Sequence, residues 1–178
     1  MNIDAAGLII IDAQEKLMSV MKNKEGVTQN IVKLLHLARI YELPISLTEQ
    51  YPKMIGPTLQ EISSLIPDFS PVEKLDFDAC QVEVFMERLK TLKGMNVIVT
   101  GVETHVCVLQ TCSSLLSKGY NVFVPRDCVD SRTEENKQTG LELLKSTGAA
   151  ITSAETVIFQ FLKKAGTPEF KEMLKYIK

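Results

Sequence analysis

No Gly-x-Gly-x-x-Gly and no Gly-x-x-x-x-Gly-Lys-Ser/Thr pattern occurs in the chain, so dinucleotide and P-loop binding lose their best support. A Gly-x-Ser-x-Gly elbow is missing as well, which removes the serine-hydrolase form of an α/β fold. Histidine is scarce: only His36 and His105 are present, too few for a histidine-rich metal centre. The four cysteines, Cys80, Cys107, Cys112 and Cys128, form no Cys-x-x-Cys pair, which argues against a structural zinc site. Neither charge sign dominates. Twenty basic residues against 22 acidic ones give a net charge of −2 with no dense run, so neither a nucleic-acid footprint nor a polybasic membrane patch is expected. The longest apolar run near the N-terminus, Leu8–Ile11, is too short for a signal-peptide core or a membrane span.

What remains is a chain of 178 residues, 45% of them hydrophobic, long enough to bury one core without disulfides or metal. A single domain over residues 1–178, cytoplasmic and with free thiols, is the expectation. Short β-rich runs alternate with helical stretches throughout. Strands are expected at Leu8–Ile11, Pro44–Thr48, Asn96–Thr100, Asn121–Pro125 and Ala149–Thr152. Between and after them, helices are expected at 26–40, Glu83–Leu92, Thr104–Ser117, Thr133–Ser146, Ala154–Lys164 and Glu169–Ile177, with a Pro/Gly-marked loop over Tyr51–Pro57. Such alternation predicts right-handed βαβ units: a three-layer α/β/α sandwich with a mainly parallel sheet of roughly six strands.

Polar residues fall at the carboxyl ends of these strands, where open α/β sheets bind ligands. Asp12 closes the first strand, Thr48-Glu49-Gln50 the second, Gly101–Cys107 follows the third, and Arg126-Asp127 with Ser131 follows the next. Cys107 lies in the first turns of a helix, near unpaired backbone N–H groups that favour a thiolate, and is a candidate nucleophile with a depressed pKa. Taken alone, a cysteine there is more often core packing. His105 is a poor base for it, because helical residues two apart point about 200° away from each other. Asp12, shielded by the apolar run before it, is the better base, though it could equally cap the helix that follows. Lys74, within Pro71–Ala79, would stabilise both a thiolate and a carboxylate if it met them, and otherwise reads as a surface lysine. Cys112, five residues after Cys107, sits on the wrong helical face for a resolving thiol.

Together these residues resemble the isochorismatase-like cysteine hydrolases, relatives of nicotinamidases and N-carbamoylsarcosine amidases. The resemblance runs from Leu8 to about Phe161 and rests on Asp12 with Gln14, Lys74 with Phe77, the Gly101–Cys107 segment, and Asp127 with Ser131-Arg132. The block Thr48–Lys53 with Gly56-Pro57-Thr58 is similar to the branch of isochorismatase domain-containing proteins 1 and 2. The resemblance implies a catalytic triad of Asp12, Lys74 and Cys107. It also implies a cis peptide between Val102 and Glu103, with an oxyanion hole formed by the amides of Glu103 and Cys107. In such a triad Cys107 attacks a carbonyl carbon, Asp12 moves the proton, and Lys74 holds Asp12. Gln14, Gln50, Tyr51, Phe77 and His105 are expected to line a small-molecule pocket.

The chain departs from nicotinamidases in lacking their Asp-x-His beyond the second strand, so neither a catalytic metal nor another cofactor is expected. Isochorismate cleavage, which breaks an ether, does not need the cysteine. The implied activity is metal-independent hydrolysis of an amide or carbamoyl C–N bond in a homo-oligomer, a dimer or larger. The competing reading is a catalytically silent scaffold or binding protein on the same fold. The apolar C-terminal residues Phe159, Phe161, Leu162 and Phe170 could supply subunit contacts or core.

Overall fold

The computed structural model describes residues 6–90 and 96–177. Its strands are β1 (Ala6–Ile11), β2 (Ile45–Gln50), β3 (Val72–Lys74), β4 (Asn96–Val102), β5 (Asn121–Pro125), β6 (Val129–Asp130) and β7 (Ala150–Thr152). The helices are α1 (Glu15–Met18), α2 (Lys24–Ile40), α3 (Pro52–Ile55), α4 (Gln60–Ser63), α5 (Glu83–Leu89), α6 (Leu109–Ser117), α7 (Glu134–Ser146), α8 (Ala154–Leu162) and α9 (Pro168–Met173). The seven strands run in the order β3-β2-β1-β4-β5-β7, with β6 paired to the end of β4. All the pairings are parallel.

The central strand β1 shows why its sequence is an unbroken apolar run rather than an alternation. Leu8 and Ile10 join the core beneath α2, α8 and α9, whereas Ile9 and Ile11 join the core beneath α5, α6 and α7. A parallel strand covered on both faces has no polar side to show. Helix α2 presents Val27, Ile31, Leu34, Leu35 and Ala38 to the first of these cores at helical spacing.

The sheet holds seven strands where roughly six were expected. Five were located in the sequence; the two that were not are β3 and β6, of three and two residues. Segments that short carry no readable period and form only because a neighbouring strand offers its hydrogen bonds. Pro52 starts the single turn of α3 inside the stretch expected to be a loop, a position where its missing N–H costs nothing. The end of the expected Glu83–Leu92 helix lies outside the described residues. The C-terminal apolar residues mostly serve the core: Phe161 and Leu162 are buried and Phe170 packs against them, while Phe159 is exposed.

Two glycine positions shape the edge at the carboxyl ends of the strands. Gly101 has φ of +104°, and a Cβ there would stand 1.9 Å from the Ile11 carbonyl oxygen, so only glycine lets β4 pass this close to the end of β1. Gly140 on α7 lies against the segment carrying Cys107, where a Cβ would meet the His105 nitrogen at 2.9 Å.

Candidate active site

Parallel strands deliver their carboxyl ends to one edge, and here β1, β2 and β3 bring Asp12, Thr48, Gln50 and Lys74 together. Asp12 is fully buried and adopts the left-handed conformation, φ +48°, which turns the chain sharply out of β1. Its carboxylate accepts from both β2 and β3. Thr48 Oγ1 donates to Oδ1 at 2.7 Å, and Lys74 Nζ donates to Oδ2 at 2.7 Å. The Lys74 side chain has no exposed surface, so this is a buried ion pair with defined hydrogen-bond geometry. Lys74 Nζ also donates to Gln50 Oε1 at 2.6 Å and to the Asp76 carbonyl at 3.2 Å.

Cys107 approaches from the other side of β1. The expected helix over Thr104–Ser117 begins instead as a π-helical segment, Thr104–Val108, and becomes α-helical at Leu109. This wider turn follows a cis Val102–Glu103 peptide. Glu103 is held by Arg132, whose backbone N–H and Nε both donate to Oε2 at 3.1 Å. Thr104 Oγ1 donates to the Asp130 carbonyl at 2.9 Å, tying the start of the segment to β6. The result leaves Cys107 buried, at 6% exposure, with its thiol within hydrogen-bonding reach of both Asp12 and Lys74.

Burial, followed by the Asp12 carboxylate, pushes the Cys107 thiol up to about 12, against the opposing pull of Lys74. The expected depression of this pKa is therefore corrected: desolvation outweighs the helix-start dipole. Cys80 is also raised to about 12, by burial and then by Asp78, and burial raises Cys112 and Cys128 too. A high pKa does not single out Cys107. Contact with a carboxylate–ammonium pair does.

The expected pocket residues divide. Gln14 is fully buried and clamps backbone instead of lining a pocket: Nε2 donates to the carbonyls of Gln50 at 3.0 Å and Gly56 at 2.6 Å, and Oε1 accepts the Gln50 N–H at 2.7 Å. Gln50 turns its side chain onto Lys74 and the Leu75 carbonyl. Tyr51 and Phe77 are roughly half exposed at the rim, and Tyr51 with Lys74 and Leu75 borders a groove of about 320 Å³. His105 Nδ1 pairs with Ser131 Oγ at 3.0 Å, away from the base position. The role of Thr48 towards Asp12 escaped the sequence reading. Its one signal was placement two residues before Gln50, on the same face of β2.

Among the described residues, no group of three or more His, Cys, Asp or Glu side chains could hold a metal ion. The arrangement is suited to moving one proton between a thiol and a carboxylate beside a fixed positive charge.

An α/β fold with an open parallel sheet and this rim defines the class, and comparison with known proteins makes it specific. The isochorismatase domain model matches residues 6–156, and the chain belongs to that family. A secreted isochorismatase effector of Phytophthora sojae is 37% identical over 175 residues, covering 96% of this chain and 83% of that protein. Isochorismatase domain-containing protein 2 of Xenopus laevis is 32% identical over 171 residues, covering 96% and 82%. Among solved structures, MAR1 ribonuclease of Caenorhabditis elegans superposes with a TM-score of 0.91 at 34% identity, covering 99% of this chain and 91% of that one. Family membership makes the chain an isochorismatase-family hydrolase by fold.

Proposed function

We propose that the protein is a metal-independent cysteine hydrolase that cleaves the C–N bond of a small amide or carbamoyl compound through an acyl-cysteine intermediate. The observation that carries this reading is the buried Asp12–Lys74 pair at 2.7 Å, within reach of the Cys107 thiol. With the resting thiol protonated, Asp12 accepts its proton as Sγ bonds to the carbonyl carbon. Collapse of the tetrahedral adduct breaks the C–N bond, and Asp12 returns the proton to the departing nitrogen. Water then attacks the thioester while giving a proton to Asp12. The acid leaves, and the thiolate takes that proton back. Lys74 acts as a fixed charge that holds Asp12 and offsets the developing thiolate. The amides of Glu103 and Cys107 are assigned to the oxyanion, where one donor is typically worth about 2.7–4 kcal/mol of barrier.

The donor set at the end of β2, Thr48-Glu49-Gln50, is already engaged. Glu49 accepts from the Thr58 amide at 2.8 Å and hydroxyl at 2.7 Å, which supports chemistry that needs no metal. The balanced charge supports a small-molecule substrate over RNA, whose phosphates demand a basic surface. Exposed Tyr51, Met54, Leu75 and Phe77 support a homo-oligomer, and four free thiols support a cytoplasmic location.

The test is acrylamide addition near neutral pH, read by peptide mass spectrometry, together with ammonia release from a panel of small amides. The wild type is expected to carry one adduct at Cys107, with Asp12→Asn and Lys74→Met slowing both reactions by roughly 10²–10⁴-fold. Equal labelling of all four cysteines, indifferent to either substitution, would make the chain a scaffold.

A further inference from the structure

We infer that Gln50 is a positioning residue that fixes the Lys74 ammonium against Asp12, rather than a wall of the substrate pocket. This rests on the hydrolase reading above. An ammonium has three N–H donors and no acceptor. Those of Lys74 have three acceptors around them: Asp12 Oδ2 at 2.7 Å, Gln50 Oε1 at 2.6 Å and the Asp76 carbonyl at 3.2 Å. The bonds to Asp12 and Gln50 are buried with the side chain, while that to the Asp76 carbonyl is partly buried.

The orientation of the Gln50 amide is set by its neighbours. Lys74 only donates and the Leu75 carbonyl only accepts, so Oε1 must face Nζ and Nε2 must face Leu75, 2.7 Å away. Gln50 therefore holds the end of β3 twice, by side chain and by following carbonyl. Gln50 and Lys74 are also register partners across the β2–β3 ladder, and the next amide, Tyr51 N–H, donates to the Lys74 carbonyl at 2.9 Å.

From the opposite side, Gln14 holds Gln50 through its backbone. Its Oε1 takes the Gln50 N–H at 2.7 Å and its Nε2 reaches the Gln50 carbonyl at 3.0 Å. The contacts close a ring that runs from Asp12 to Lys74, to Gln50, to Gln14, and back along the chain to Asp12. A neutral amide in this place matters. It gives Lys74 an acceptor without offering a second anion, so among the described residues Asp12 remains the one carboxylate paired with the ammonium.

Rates of acrylamide addition to Cys107 should be followed from neutral to strongly alkaline pH, with the melting temperature, in wild type, Gln50→Leu, Gln50→Glu and Lys74→Met. Gln50→Leu is expected to move the midpoint up by about one pH unit, making addition about tenfold slower below it. Gln50→Glu keeps an oxygen towards Nζ but adds a charge that draws the ammonium from Asp12. Its second oxygen would meet the Leu75 carbonyl with no proton between them, so its melting temperature should fall as that of Gln50→Leu does, while its midpoint shifts upward as well. A purely structural glutamine would lower the melting temperature and leave the midpoint in place. If Lys74→Met moves the midpoint and both Gln50 variants leave it unmoved, the positioning role is overturned and the hydrolase reading survives. If Lys74→Met also leaves it unmoved, both fall together.

Discussion

Asp12 gains its direction from Thr48. Without the hydroxyl, Oδ1 would be a buried anionic oxygen with its one side-chain donor gone, and the carboxylate would be free to rotate about its bond to Lys74. Thr48→Val preserves shape and β-branching in β2 while removing that donor; the Asp12 N–H, which reaches the hydroxyl at 3.3 Å, keeps the Thr48 carbonyl at 3.2 Å. The substitution should destabilise the fold by about 1–3 kcal/mol, the cost of leaving a buried group unsatisfied, and slow acrylamide addition at Cys107. Urea unfolding and labelling rates measure the two effects separately. Unchanged labelling in a destabilised protein would mean that Thr48 supports the strand without directing the base. The residues Asp12, Lys74 and Cys107 were legible in the sequence through their motifs. Of the second tier, Gln14 and Gln50 were expected to line a pocket and Thr48 stood only as a polar residue at a strand end and in the Thr48–Lys53 block; their bonds to Asp12, Lys74 and one another were not legible.

Among the elements, the π-helical segment Thr104–Val108 decides where the thiol sits, and α7 supports it from behind. Alanine for glycine inside an exposed helix usually gains about 0.8–1.0 kcal/mol of helix propensity. At position 140 the new Cβ would meet backbone of the π segment, with the His105 nitrogen at 2.9 Å, so one of the two elements must shift. Gly140→Ala is thus expected to lower the melting temperature despite its better propensity, and to reduce acrylamide addition at Cys107 by moving the segment that carries it. A raised melting temperature with unaltered labelling would show that α7 can withdraw without disturbing the site. The sequence pattern read this region as one continuous α-helix. Hydrophobic spacing cannot register a turn widened over a single five-residue segment.

For the molecule as a whole, the buried thiols couple folding to alkaline pH. Cys80 and Cys107 are raised from 9.0 to about 12, and Cys112 and Cys128 are raised too. Below 9.0 both folded and unfolded chains keep these protons, and their contribution to stability is fully present. Above it the unfolded chain releases protons that the folded chain retains, so stability falls as pH climbs towards about 12. Urea midpoints should accordingly decline above about pH 9, and the decline should be shallower in Cys112→Ala, which removes a fully buried thiol away from the site. An identical decline in that variant would assign the effect to other titrating groups.

The order of the longer strands and helices and the double-sided burial of β1 were determined by sequence alone, and the family's motifs in their order along the chain marked Asp12, Lys74 and Cys107. Each depends on local periodicity or on a short contiguous motif. Tertiary structure decided the rest: the strands of two and three residues, the π turn, the buried hydrogen-bond ring and the protonated state of the thiol. The strands and the turn depend on what another segment presents. The ring joins residues far apart in the chain. The thiol's proton depends on desolvation and on a carboxylate nearly a hundred positions away, quantities that exist only once the chain has closed around them.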